Sequence, residues 1–391
     1  MAMTNRMRAV TEANRPLTEF VTRSAWSRRG KEAGVFDFTF GNPQEMPIQG
    51  YAETLQKWAS PRDKDWYAYK LNETEGRAYI AESLSEWRGV PFDAEDIAVT
   101  NGAFGAIATA FATFLDPGDE VVYSLPPWFG YAPMLAHAGA ISVTVPVKPR
   151  VFDLDVEAIE GAITNRTRMV IVNSPCNPTG RVYPPDVLEN LATVLARMSE
   201  RHGRPIYLLS DEPYSRLIFE GKRFHSPAAY YPYSMISYSY GKVLLTPGER
   251  VGFLALPPQN PEREERREQI MIAQIAGGWL FANALMQHAI GDLDRLSIDV
   301  GELEAKRDLM VDGLRQAGYE VHRPEATFYL LPRSPIPDDM AFADVLARHN
   351  VFVMPGTICS IPGYFRITLS SSRERLVESL AAFSAARGQV V

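Results

Sequence analysis

The sequence predicts an α/β fold: a mostly parallel sheet covered by helices, followed by a smaller α+β layer. Three observations carry this. Short apolar runs alternate with helix-like stretches through the middle of the 391-residue chain, the pattern of strands joined by crossover helices. The pattern changes after about residue 295. The length exceeds what one small core organises and suits a large domain plus a smaller one.

The elements follow in chain order. The segment up to about residue 45 has no room for its own core and is expected to pack with the C-terminal part. Strand-like runs fall at 97–100, 120–123, 169–173, 206–210 and 251–256, with helix-like stretches such as 103–115 and 184–198 between them. A long charged helix over 297–317 leads into a strand-like 326–331, a helix over 340–349 and a strand over 365–369. The expected division is a large unit over 45–295 and a smaller one built from 1–44 and 296–391.

Composition narrows the function classes. Hydrophobic residues make up 46% and charged residues 22%, ordinary for a globular protein. A net charge of −7 without a basic run argues against a nucleic-acid surface. Two cysteines, Cys176 and Cys359, give no disulfide framework, so a reducing cytoplasm is expected. The polar first fifteen residues lack the apolar core of a secretory signal. The most apolar stretch, 270–290, carries Gln274, Asn283, Gln287 and His288, which lipid would disfavour. It reads as one buried or interface helix, not a membrane span. There is no internal repeat, and no metal site is expected.

Six short segments carry chemistry. Ser239-Tyr240-Gly241-Lys242 follows an apolar strand-like run, with Arg250 eight residues on. A buried lysine can attack a carbonyl and form an imine, while Ser239 and Arg250 suit a phosphate dianion. Asp211, at the end of the run 206–210, faces a ligand crevice if that strand is parallel; its alternative is a helix N-cap. Tyr214 lies three residues on. The Pro- and Gly-rich segment 173–180 makes a rigid turn that would aim the Asn177 amide. In 100–107, small residues at a strand-to-helix turn let backbone N–H groups approach an anion near Ala103 and Phe104. Trp128, held by Pro126 and Pro127, could stack on a flat ring or lie in the core. Arg366 sits inside an apolar strand, where a guanidinium needs a partner such as a substrate carboxylate.

In order and spacing, these segments resemble the class I/II aminotransferases, the fold-type-I pyridoxal-phosphate (PLP) enzymes, over nearly the whole chain. The resemblance implies a seven-stranded-type sheet and PLP held by Lys242 as a Schiff base, with Lys242 shuttling a proton between substrate Cα and cofactor C4′. It implies Asp211 paired with the pyridine nitrogen, Tyr214 and Asn177 on the ring hydroxyl, and Trp128 stacked on the ring. Ala103, Phe104, Ser239 and Arg250 would cradle the phosphate. Arg366, helped by Asn177, would bind the substrate α-carboxylate, and Gly41 lies where an N-terminal segment closes over the substrate. Tyr67, or Tyr69, would reach the phosphate of a partner subunit in a homodimer.

Two departures stand out. Gly241 replaces a common second serine, and Asn72 replaces a usual glycine. The expected activity is amino-group transfer from an α-amino acid to a 2-oxo acid. The same scaffold also serves PLP-dependent amino-acid oxidases or hydroxylases, eliminating synthases, and non-catalytic PLP-binding regulators; the last usually carry an N-terminal DNA-binding domain, of which 1–40 shows no sign. No arginine stands out as partner for a second substrate carboxylate.

Overall fold

The computed structural model describes residues 3–278 and 281–391. Its strands are β1 (Phe36–Asp37), β2 (Ile97–Thr100), β3 (Glu120–Leu125), β4 (Ile141–Pro146), β5 (Thr167–Asn173), β6 (Tyr207–Asp211), β7 (Ser234–Ser239), β8 (Gly252–Ala255), β9 (Tyr329–Leu330), β10 (Val351–Phe352), β11 (Met354–Pro355) and β12 (Phe365–Thr368). Seven form the main sheet in the order β2-β8-β7-β6-β5-β3-β4. Only β8 runs antiparallel to its neighbours. The rest pair in parallel.

Alternation along the central strands divides the core into two layers. Val121, Met169, Ile171 and Leu209 meet Ile107, Ala110, Phe111 and Phe114 of the helix Gly102–Phe114 on one face. Val122, Val170, Val172 and Leu208 meet Leu188, Leu191 and Leu195 of the helix Pro185–His202 on the other. Burial on both faces explains why these strands read as continuous apolar runs. The helix Pro185–His202 shows the sequence logic plainly. Proline opens it, a stripe at 188, 191, 194, 195 and 198 is buried, and Gly203 ends it in the left-handed region at φ 66°.

Around this layer, β1 pairs in parallel with β10, and β9, β12 and β11 form a small antiparallel sheet. Phe20 packs with Met354, Ile358 and Cys359, joining the N-terminal segment to the C-terminal part. The first helix, Asn5–Ala13, lies instead against the helix Tyr131–Ala138 of the central region.

Several expectations shift. The stretch 270–290 is not one helix. It divides between helices Arg263–Ala276 and Ala284–Leu293, separated by Gly277 and Gly278, the latter at φ 85°; residues 279 and 280 lie outside the described residues. The polar residues Gln274, Asn283, Gln287 and His288 all find partners. Asn283 caps the second helix at Met286 N–H, 2.9 Å. Gln287 donates to Leu71 O and Ala282 O, and His288 Nε2 lies 3.0 Å from Trp66 O. The run 326–331 yields only Tyr329–Leu330 as strand, because Thr327 adopts φ 71°. β4, absent from the runs read above, is a mostly exposed edge strand. No helix among the described residues is long and apolar enough to cross a membrane.

Asn72 shows what its departure does. β2 is an edge strand, and the Asn72 carboxamide accepts from Val99 N–H at 2.7 Å. It also donates to Gln274 Oε1 at 2.9 Å, and Gln274 donates to Val99 O at 2.7 Å.

Candidate active site

The carboxyl ends of β5, β6 and β7 carry Asn173, Asp211 and Ser239 to one edge of the sheet. There they open on a cavity of about 410 Å³, the place where a parallel α/β sheet binds ligands. Gly41, Ala103, Phe104, Trp128, Asn177, Asp211, Tyr214, Ser239, Lys242, Arg250 and Arg366 all line it. Segments spread over more than 300 residues of chain thus converge on one volume.

Two adjacent carboxylates on β6 and its exit have opposite fates. Glu212 is buried but satisfied, accepting from Ser210 Oγ at 2.7 Å, from Ser226 Oγ and from the Arg88 guanidinium. Asp211 is just as buried, yet only one of its oxygens is served. Oδ2 accepts from Tyr131 Oη at 2.5 Å and, more weakly, from Asn173 Nδ2 at 3.4 Å. Oδ1 has no partner among the described residues. Burial raises the Asp211 carboxyl to about 6, against the donors that would lower it. A buried oxygen without a donor is costly, and such atoms in native folds mark strain or a ligand.

The neighbouring end of the cavity is an open anion cradle. The helix Gly102–Phe114 begins there, and its N-cap Asn101 makes no side-chain capping bond, so its first N–H groups lack that partner. Among the described residues the Arg250 guanidinium hydrogen-bonds only to carbonyls, Pro247 O at 2.5 Å and Asn101 O at 3.4 Å. Burial lowers its pKa. Gly102 must be glycine. Its φ is 71°, and a β-carbon would fall 2.7 Å from Arg250 Nη2. Gly241, the other departure, has a steric reason. A β-carbon there would lie 3.0 Å from Pro247 Cα and 3.2 Å from Thr246 O, so a serine here would crowd the turn by a few tenths of an ångström.

Lys242 projects from the short helix Tyr240–Val243 after β7, its Nζ 5.9 Å from the Tyr214 ring centroid. The Tyr214 hydroxyl is held well above the usual tyrosine range by burial and by Tyr329 beside it, so it remains a donor. Arg366 is 2% exposed. It donates to Asn177 Oδ1 and to Thr39 O, both at 3.0 Å, and its guanidinium lies over the Tyr329 ring at 4.2 Å. Its Nε has no partner among the described residues, and no carboxylate is among its contacts. Asn177 is steered in turn, its N–H bonded to Asn173 Oδ1 at 2.8 Å. Gly41 approaches so closely that a β-carbon would fall 2.6 Å from Tyr329 Oη.

Tyr67 is the candidate this chain does not bring to its own cavity. It is exposed, its hydroxyl donates to Ala59 O, and it borders a separate depression with Tyr69 and Phe281. Several residues of the site escaped the sequence reading, among them Tyr131, which bonds Asp211 from outside the lining, and the lining residues Tyr329 and Asn173. Tyr131 lies three positions beyond Trp128, and Tyr329 sits in an apolar run with nothing polar to flag it. Asn173 had a usable signal, because it ends β5 directly beside Asp211 in the sheet register.

Residues 34–383 match the family described as aminotransferase class I and II. The aspartate/prephenate aminotransferase of Thermus thermophilus is 31% identical over 382 residues, covering 95% of this chain and 96% of that protein. An aromatic-amino-acid aminotransferase of Thermococcus litoralis is 26% identical, covering 89% and 90%. The crystal structure of an aminotransferase from Eubacterium rectale superposes with a TM-score of 0.89 at 28% identity, covering 100% of this chain and 99% of that one. Family match, full-length likeness and shared fold agree: the chain belongs to the class I and II aminotransferases, a family that uses PLP, and its reaction is amino-group transfer.

Proposed function

We propose that this chain binds PLP through Lys242 and moves the amino group of an α-amino acid to a 2-oxo acid. The observation that carries the reading is a buried guanidinium, Arg366, with no carboxylate partner, in the same cavity as the Lys242 amine. The residues present fit the cofactor. Asp211 has a buried oxygen without a donor among the described residues, suited to a protonated ring nitrogen, and the cradle of Gly102–Phe114 N–H groups, Ser239 and Arg250 suits a phosphate. PLP, when bound, supplies an electron-withdrawing ring that accepts the electron pair of the bond broken at the substrate Cα.

The side chains divide the remaining work. Asp211 holds negative charge against the ring nitrogen, and Tyr131 keeps that carboxylate oriented through its 2.5 Å bond. Tyr214 donates to the ring hydroxyl. So does Asn177 Nδ2, since its Oδ1 is committed to Arg366. Trp128 offers an aromatic face. Arg366 takes the substrate carboxylate in a two-pronged pair and so fixes rotation about Cα. Lys242 would serve as the base that takes the Cα proton.

We also propose that 45–295 forms the cofactor-binding unit and that 1–44 with 296–391 forms the unit that closes on the substrate. Assembly as a C₂ homodimer follows from the exposed apolar surface of Tyr67, Tyr69, Leu71, Ile272 and Ile275. Tyr67 or Tyr69 would then reach the partner's phosphate cradle. Sedimentation at working concentration is expected to give a dimer, and an active monomer would contradict it.

Arg366→Lys tests the carboxylate assignment. It keeps the charge and loses the fork. The expected result is a fall in kcat/KM of about 100-fold, since a hydrogen bond to a charged group contributes roughly 1.5–3 kcal/mol. The fall should be similar for all amino acids, with PLP still attached. Loss of the cofactor in this variant, or wild-type reaction with amines that lack a carboxylate, overturns the reading.

A further inference from the structure

We infer that Tyr240 is a positioning residue for Lys242, anchored by Asp294, and that Arg216 ties Tyr214 to the same carboxylate. This rests on the function proposed above. The helix that carries Lys242, Tyr240–Val243, has four residues. One helical turn repays little of the cost of ordering it. Its place is therefore set by what grips it from outside.

Three bonds supply that grip. Tyr240 N–H donates to Val251 O at 3.2 Å, and Val243 O accepts from Ile298 N–H at 2.9 Å. The third comes from a side chain: Tyr240 Oη donates to Asp294 Oδ1 at 2.8 Å. The Tyr240 ring is 1% exposed and packs edge-on to Tyr238 at 5.2 Å and to Phe253 at 6.2 Å. Burial and the Asp294 charge hold its hydroxyl well above the usual tyrosine range, so it stays a donor. Lys242 leaves the same turn two residues later, so a shift of this anchor is a shift of the amine.

Asp294 caps the C-terminal end of the helix Ala284–Leu293 and serves a second strand exit. Arg216 Nη2 donates to the same Oδ1 at 2.6 Å, and Arg216 Nη1 donates to Asp294 O at 2.7 Å. The guanidinium is held among rings, 4.5 Å from Trp87, 5.4 Å from Tyr238 and 5.8 Å from Tyr240. Arg216 stands two residues after Tyr214, which lines the cavity beside Lys242. One carboxylate thus fixes the exits of β6 and β7 against each other, and with them the Tyr214 hydroxyl and the Lys242 amine. Arg216, Tyr240 and Asp294 are not among the described lining residues, so each acts through its neighbours. Placement of this kind matters steeply, since a misplacement of about 1 Å can cost about 100-fold in rate.

Tyr240→Phe tests this, because it keeps the ring and removes the bond to Asp294. Apoprotein is mixed with PLP, stopped with borohydride and mapped for label on Lys242. The variant is expected to attach PLP about tenfold more slowly, since the amine must meet a carbonyl held at one point. Acetic anhydride demands no fixed approach, so acetylation of Lys242 in the apoprotein should rise at least about twofold relative to the other lysines as the turn loosens. In turnover, kcat should fall about tenfold while the amino-acid KM stays within about twofold, because Arg366 is untouched. Asp294→Ala should slow attachment at least as much, and adding Tyr240→Phe to it should change little further. Unchanged attachment and acetylation in Tyr240→Phe, or both moving in the same direction, overturns the inference. Failure of the wild type to attach PLP at Lys242 would sink the proposed function instead, and the acetylation rates would still decide this one.

Discussion

Lys242→Ala is expected to reduce turnover by about 10⁴-fold or more, the scale of removing one member of a catalytic set that acts as a unit. On the proposed function two roles would disappear together: the amine that attaches the cofactor and the base that takes the Cα proton. The cradle and Arg366 are untouched, so the variant should retain PLP without covalent attachment. Borohydride treatment of the wild type, followed by peptide mapping, should fix the cofactor to the Lys242 peptide. A label on any other lysine removes the assignment.

Asp211→Asn should cost about 10³-fold or more in turnover while preserving the fold, because a neutral amide still accepts from Tyr131 but no longer balances a protonated ring nitrogen. The same substitution has an opposite effect on the protein without cofactor. The Asp211 carboxyl sits at about 6 against an ordinary 3.8. The folded chain thus holds this proton more tightly than the unfolded chain does. Stability is unaffected by the group below the ordinary value, falls as pH rises between the two, and carries the full cost above about 6. The ceiling on that cost is roughly 3 kcal/mol. Urea unfolding of the apoprotein at pH 8 should therefore find Asp211→Asn more stable than wild type, with the advantage vanishing near pH 4. Near-normal turnover in the variant, or a stability difference independent of pH, would show that Asp211 is a plain structural carboxylate.

What the sequence made legible follows from how many constraints each residue bears. Asp211, Lys242 and Arg250 each sit next to apolar runs buried on both faces, so the strands and their exits are marked from both sides. Arg366 announced itself as a charge inside an apolar strand. Tyr329 and Phe129 were illegible for the converse reason: an aromatic residue in an apolar run reads as core, and only the fold shows that its ring borders a cavity. The break within 270–290 was hidden because Gly277 and Gly278 sit in an otherwise continuous apolar stretch, while the polar residues that forbid a membrane span are equally at home in one helix or two. Tyr67 could not be placed, since one chain alone does not contain the surface its role requires.

The Asn72–Gln274 pair at β2 has a consequence for how copies of this chain behave together. A sheet that ends in a bare strand offers its backbone to any passing extended segment, and self-association grows from that offer. Here two carboxamides occupy both hydrogen-bonding groups of Val99 and bond to each other. They imitate the missing next strand with side chains that cannot be extended further. The ladder is finished at that position, and an incoming chain finds neither donor nor acceptor to copy. Substituting glycine at position 72 would leave Val99 N–H without this acceptor in a strand that is buried along its length.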